Sequence, residues 1–320
     1  METLSNEVLQ ALESAFVGKN IEDVVPMKGG FSGATLLSIR VEETDYVVRH
    51  PNLDRPDSKK RFAQEITCLK IGSDLGIAPH LAYSDQSLCV VIMEKIPGRP
   101  ISETHKGTEF TERMAQALRT LHRSPAFPIG ASLRDLVEHF DRMLMSMGRP
   151  SLPVNLVKVI EDIAQVTRRF AHEAPCHHDL NPTNIFDIDG KITLVDWDTA
   201  CMSDPFVDIG QLGVFVFPTE SERDSFLHAY RNGNPSQEDF DRALLGRVTA
   251  MAFYGAAFCL SSETAVLPEP LTFEKMFALL RSDPSRVTPS VIASSLLHGA
   301  VEISISGPYR EALERLYAAS

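Results

Sequence analysis

Apolar positions change their period along this chain, and each change marks an element. Residues 4–17 put Leu4, Val8, Leu9, Leu12 and Phe16 on one stripe of a 3.6-residue period, which predicts a short amphipathic helix. From Ile21 to Val41 the pattern is strand-like, broken by Lys28-Gly29-Gly30-Phe31-Ser32-Gly33-Ala34-Thr35. A turn at 42–45 leads to a further strand, Tyr46-Val47-Val48-Arg49-His50. A helix follows over about 58–75, with Asp57 or Ser58 as its cap candidate and Phe62, Ile66 and Leu69 on its inner face. Gly76-Ile77-Ala78-Pro79 ends it, and 80–84 and 88–96 read as two more strands. From Thr108 onward the period is helical: Phe110, Met114, Ala117, Leu118 and Leu121 first, then patterns over 132–173, 219–232, 236–262, 271–282, 288–298 and 308–318. Strands grouped first and helices grouped after predict an α+β fold, an N-terminal antiparallel sheet lobe (1–97) and a mainly helical C-terminal lobe (98–320).

The composition adds exclusions. The 320 residues carry a formal net charge of −12, which argues against a nucleic acid or an anionic membrane surface as partner and favours a cationic small molecule. The five cysteines are scattered and never C-x-x-C, so neither a disulfide framework nor a zinc site is expected. The N-terminus is acidic where a signal peptide is basic, and the apolar stretch Val248 to Leu260 is too short to span a bilayer. The expectation is a cytoplasmic protein, monomer or homodimer.

The chemistry concentrates in residues 176–198. His177, Asp179 and Asn184 form H-x-D-x-x-x-x-N, the catalytic-loop pattern of kinases, in which the Asp takes the substrate hydroxyl proton and the Asn holds Mg²⁺. Two apolar runs, 184–188 and 191–195, are joined by Asp189-Gly190, a strong signal for a type I′ hairpin. Such a hairpin brings Asp196 back beside Asn184, where a carboxylate and an amide oxygen suit Mg²⁺. A lone Asp-x-x-x-x-Asn is common by chance; the order His, Asp, Asn, hairpin, Asp is not.

With these residues in view, the chain resembles the aminoglycoside phosphotransferase and choline kinase superfamily. His177-His178-Asp179-Leu180-Asn181-Pro182-Thr183-Asn184 is similar to H-G-D-L-H-P-G-N, and Leu194-Val195-Asp196-Trp197-Asp198 to the family's I-D-W/F-E/D. Asp204-Pro205-Phe206-Val207-Asp208-Ile209-Gly210 matches its downstream D-P-x-x-D-L/I. His178, Asn181 and Thr183 depart from the pattern. The resemblance implies a protein-kinase-like bilobal fold and ATP with Mg²⁺ as cofactors. It implies phosphates under the glycine-rich turn (Gly30, Ser32, Gly33) and on Arg49, with Glu65 as the partner of that arginine. Adenine would lie along Met93, Glu94 and Ile96. Asp179 is then the base, His177 a brace of its loop, Asn184 and Asp196 the metal ligands, and Asp208 an acceptor of backbone N–H groups from the loop.

The acceptor is less defined. Asp198, Asp204, Trp197 and Tyr254 suit an amine or quaternary ammonium by charge and cation–π contact, although Phe253, Tyr254 and Phe258 equally suit core packing of a helix. The expected activity is phosphorylation of a hydroxyl on a small, amine-bearing molecule, choline-like or aminoglycoside-like. Homoserine, thiamine or a neutral sugar are alternatives. Two rival classes, a nucleotide-binding pseudokinase and a hydrolase with a metal on His177, His178 and Asp179, fit the pattern less well.

Overall fold

The computed structural model describes residues 4–27, 33–54, 57–104, 107, 109–170 and 173–319. In chain order its elements are α1 (Asn6–Ala15), β1 (Ile21–Met27), β2 (Thr35–Val41), β3 (Thr44–His50), α2 (Ser58–Asp74), β4 (Leu81–Asp85), β5 (Val90–Glu94), α3 (Phe110–His122), α4 (Leu133–Ser146) and α5 (Val154–Thr167). Then come β6 (Ala174–Cys176), β7 (Ile185–Ile188), β8 (Lys191–Leu194), β9 (Cys201–Ser203), α6 (Pro205–Phe215), α7 (Glu220–Arg231), α8 (Gln237–Ser261), α9 (Phe273–Ser282), α10 (Pro289–Ser304) and α11 (Gly307–Ala318). The fold is α+β and protein-kinase-like, an N-terminal antiparallel sheet followed by a mainly helical remainder.

By compactness the chain divides into two units, the residues up to Pro128 together with Pro182–Cys201, and Ile129–Asn181 together with Met202–Ser320. The expected lobe boundary at residue 97 falls inside the first unit, because α3 and the β7–β8 hairpin are tied to what precedes them. Ile101 N–H donates to Ile185 O at 2.9 Å, and Leu194 N–H to Ile77 O at 2.8 Å. The Arg113 guanidinium grips Asp187 through Nε at 2.9 Å and Nη2 at 2.5 Å.

In the first unit the five strands run in the order β1-β2-β3-β5-β4, so β3 is central. Alternation along β3 turns Val48 to one face, where Val8, Leu12 and Phe16 of α1 cover Leu37, Ile39, Val90 and Ile92. Arg49 points to the other face. Asp189 (φ 50°) and Gly190 (φ 75°) both take left-handed backbone between β7 and β8, as a type I′ turn requires.

The second unit is built on α8. Ser132, Thr219 and Ser236 open α4, α7 and α8 with reciprocal capping boxes. By length and composition α8 could cross a membrane, unlike its apolar stretch 248–260 taken alone. However, 67% of its most apolar window is buried inside this unit, among α4, α5, α6, α10 and α11. A helix apolar on all sides is what such a surrounding requires. α6 crosses α8 with the two backbones in contact. A Cβ on Gly210 would lie 2.2 Å from Gly246 C, and one on Gly246 only 2.1 Å from Phe206 O. That crossing fixes the position of α6, the helix that holds the loop described next.

Candidate active site

Asp208, fully buried in the first turn of α6, accepts His177 N–H on Oδ2 (2.8 Å) and His178 N–H on Oδ1 (2.9 Å). One turn on, Gln211 accepts Leu180 N–H on Oε1 (3.0 Å) and donates through Nε2 to His178 O (2.6 Å). Two side chains of one helix thus hold the backbone on both sides of Asp179. His178 sits at φ 65°, a left-handed conformation that costs a non-glycine residue roughly 1 kcal/mol or more. That explains why the resembling motif has glycine there. Asp179 N–H donates to His177 Nδ1 at 3.3 Å, a contact within the loop itself. The Asp179 carboxylate receives Asn181 Nδ2–H (2.9 Å) and Tyr254 Oη–H (3.1 Å), both on Oδ1. Burial and the charge of Asp179 push the Tyr254 hydroxyl far above its ordinary pKa, so it remains a donor.

In the first unit Arg49 is almost wholly buried and bonds Glu65 of α2, Nη1 to Oε2, at 2.5 Å. Its Nη2 lies 3.9 Å from Asp198 Oδ2. Burial raises the Glu65 carboxyl to about 7, with Arg49 pulling it back and Asp198 pushing it further. Despite its own burial, the Arg49 guanidinium is raised, because Glu65, Asp196 and Asp198 all favour its charge. Above neutrality both partners are charged, since Glu65 has then lost its proton and the surrounding carboxylates keep the proton on Arg49. Asn184 closes a short 3₁₀ turn at 182–184, and its carbonyl accepts Val195 N–H at 3.0 Å, one residue before Asp196. Asp196 is exposed at φ 65°, a second left-handed non-glycine residue in this segment. An amide oxygen and a carboxylate on neighbouring chain ends form a hard-oxygen donor set that suits Mg²⁺.

A profile of the phosphotransferase enzyme family matches residues 23–244. The chain belongs to that family. Among curated relatives, a Protein LicA homolog of Mycoplasma capricolum is 24% identical over 183 residues, 56% of this chain and 69% of the relative. A crystal structure of a choline/ethanolamine kinase family protein from Mesorhizobium loti superposes with TM-score 0.67 at 18% identity, covering 97% of this chain and 98% of its own. A spectinomycin phosphotransferase crystallised with ADP and spectinomycin superposes with TM-score 0.57 at 11% identity, over 94% of this chain and 100% of its own.

Several residues expected at the nucleotide and acceptor of this phosphotransferase stand elsewhere or do other work. Gly30 and Ser32 lie outside the described residues, while Gly33 is left-handed at φ 69°. In the strand-end segment expected to meet adenine, Glu94 N–H is taken by His80 O and Lys95 N–H by Asp45 O, each at 2.9 Å. Met93 and Ile96 are half-buried on either side of them. Trp197 is corrected from an acceptor-binding residue to a core residue. It is 2% exposed, donates Nε1–H to Leu194 O at 3.0 Å, meets Phe127 edge-on, and leaves no room for a Cβ on Gly72, which would lie 2.8 Å away. Asp204 is likewise corrected. It caps α6 by accepting Phe206 N–H (2.9 Å) and pairs with buried Arg242 at 2.9 Å. Asp198 is turned toward Arg49. The Tyr254 ring packs edge-on against Phe215 and Phe253, and its hydroxyl serves Asp179. Sequence reasoning missed Gln211 and Asn181 as supports of the loop. The spacing of Gln211 three residues after Asp208 on one helix was the available signal.

Proposed function

We propose that this small-molecule phosphotransferase moves the γ-phosphoryl group of ATP to a hydroxyl of its acceptor. The observation that carries this reading is the buried Arg49–Glu65 pair with Asp196 and Asp198 beside it. One cation among three carboxylates leaves an excess negative charge that a divalent ion complements, while Arg49 remains fixed to meet phosphate oxygens. Asn184 and Asp196 would hold Mg²⁺, which supplies charge neutralisation on the phosphate oxygens. Asp179, held by Asp208 and Gln211 through the backbone and by Tyr254 and Asn181 through Oδ1, orients the acceptor hydroxyl and takes its proton. Because the transition state of phosphoryl transfer is loose, positioning supplies more of the rate than proton transfer. The adenine would lie along Met93–Ile96, where the Ile96 amide is still a candidate donor once Glu94 and Lys95 are assigned to the sheet.

An amine on the acceptor was inferred from Asp198, Trp197, Asp204 and Tyr254. Each of these has a protein partner, so the amine is left to a direct screen. That screen measures coupled ADP release over choline, ethanolamine, thiamine, aminoglycosides, neutral sugars and homoserine. Thermal shift with a non-hydrolysable ATP analogue tests the nucleotide site itself. Stabilisation should require Mg²⁺ or Mn²⁺ and vanish in Asp196→Ala. No shift with or without metal in the unaltered protein would defeat the proposal.

A further inference from the structure

Tyr254 lies outside the motif that carries the base, 75 residues from Asp179 in the middle of α8, yet its Oη–H reaches Asp179 Oδ1 at 3.1 Å. Packing on both sides of it fixes its place. Earlier on the helix Gly246 lies against the Phe206 backbone of α6. The next residue, Gly255, is pressed on α10, where a Cβ would lie 2.7 Å from Leu297 Cδ2. The Tyr254 ring meets Phe215 and Phe253 edge-on, each with its centroid 5.1 Å away. In a close-packed interior a phenol gripped in this way is a fixed point, and the carboxylate takes the orientation that meets it.

The hydroxyl is also a donor that cannot become an acceptor of Asp179's proton. Burial, the charge of Asp179 and the charge of Asp208 all hold its proton on. Asn181 Nδ2–H donates to the same carboxylate oxygen at 2.9 Å. A carboxylate oxygen has two lone pairs, and these two donors take both on Oδ1. The proton of an acceptor hydroxyl then has Oδ2 as its destination. Neither donor is written in H-x-D-x-x-x-x-N. Asn181 fills a position where the resembling pattern has histidine, and Tyr254 comes from a helix distant in the chain. The ring and hydroxyl of Tyr254 are both engaged by the protein, which sets it apart from a group that binds the acceptor.

We propose that Tyr254 is a positioning residue for phosphoryl transfer, whose hydroxyl, together with Asn181, orients the Asp179 carboxylate so that Oδ2 takes the acceptor's proton. The role deepens the kinase reading and rests on it. As the acceptor oxygen bonds the γ-phosphorus and the bond to ADP breaks, the hydroxyl proton passes to Oδ2, while Tyr254 keeps its own. Tyr254 acts through Asp179 alone and needs no contact with the acceptor.

A double-mutant cycle tests it, because a residue that acts only through another loses its effect when that other is gone. Tyr254→Phe removes one oxygen and keeps the ring; Asp179→Ala removes the acceptor of its bond. The full-length parent, the two single variants and the double variant are compared in two measurements. In denaturant, Tyr254→Phe should lower the unfolding midpoint of the parent and leave that of Asp179→Ala unchanged or raised. In single-turnover transfer from MgATP, to choline and separately to water, Tyr254→Phe should slow the parent ~10-fold or more. KM for ATP and for choline should stay within about twofold, and the same substitution should change nothing in Asp179→Ala. Should Tyr254→Phe not fold, Asn181→Ala enters the same cycle and tests the shared oxygen. An equal loss in both backgrounds, no loss in either, or a rise confined to the KM for choline overturns the positioning role and leaves the kinase standing. Absence of transfer to both choline and water overturns the role as well. If the nucleotide thermal shift is absent too, the kinase reading falls with it.

Discussion

Asp208→Asn changes one atom's chemistry at the point where the fold grips the catalytic loop. The carboxylate accepts two backbone N–H groups, from His177 at 2.8 Å and His178 at 2.9 Å, and has no solvent exposure. Asparagine offers one acceptor oxygen and turns an NH₂ group onto the other N–H. Hydrogen bonds to a charged group contribute about 1.5–3 kcal/mol each, and a buried unsatisfied donor costs about 1–3 kcal/mol. One bond is lost, the other loses its charge, and two donors face each other, so the cost should be about 3–5 kcal/mol. For a chain of this size that lowers Tm by roughly 6–15 °C. A loop displaced by about 1 Å at Asp179 should lose ~10²-fold in kcat. The KM for ATP should change less than about twofold, because Arg49, Glu65, Asn184 and Asp196 all belong to the other unit. Calorimetry and coupled ADP release measure both quantities. A variant within about 2 °C of the parent Tm and with unchanged kcat would show that α6 does not hold the loop in place.

Three further outcomes follow from the same geometry. Asp179→Asn should lower kcat by ~10²–10⁴ with nucleotide affinity retained, the range for loss of a general base, and equal turnover would remove Asp179 from that role. Glu65 titrates at about 7 in the folded protein against 4.5 for an ordinary carboxyl, so its ionisation is a cost in the folded state alone. Its favourable contribution is complete below pH 4.5 and declines as pH rises to 7. Glu65→Gln should therefore match the parent Tm near pH 4.5 and equal or exceed it at pH 8, while KM for ATP rises ~10-fold as Arg49 loses its anchor; a Tm deficit that grows with pH would contradict this. Gly246→Ala puts a Cβ 2.1 Å from Phe206 O, backbone against backbone, and should destabilise by about 3 kcal/mol or more, read as lost soluble yield or a lower denaturant midpoint.

Much of this protein was legible in its sequence where one residue's neighbours on a helix or hairpin decide its fate. The amphipathic helices α1 and α3, the capped starts of α4, α7 and α8, and the Asp189-Gly190 hairpin all carry local signals, and each formed. The H-x-D-x-x-x-x-N segment and the Asp196 return are local in the same sense. α6 was not seen, because a helix buried on every side has no polar stripe; the Asp204-Pro205 pair, a cap followed by proline, was its remaining mark. Side-chain destinations were decided only by the tertiary structure. Asp196, Trp197 and Asp198 are consecutive, yet the first faces solvent, the second enters the core against Gly72, and the third turns to Arg49. Left-handed backbone at Asp196 breaks the strand alternation that sequence reasoning relies on. Asp204 went to Arg242, 38 residues away, and Arg223 and Arg247 met over Gly213 from two different helices. Proximity of that kind comes from how closely two helices pack, and no periodicity within either helix encodes it.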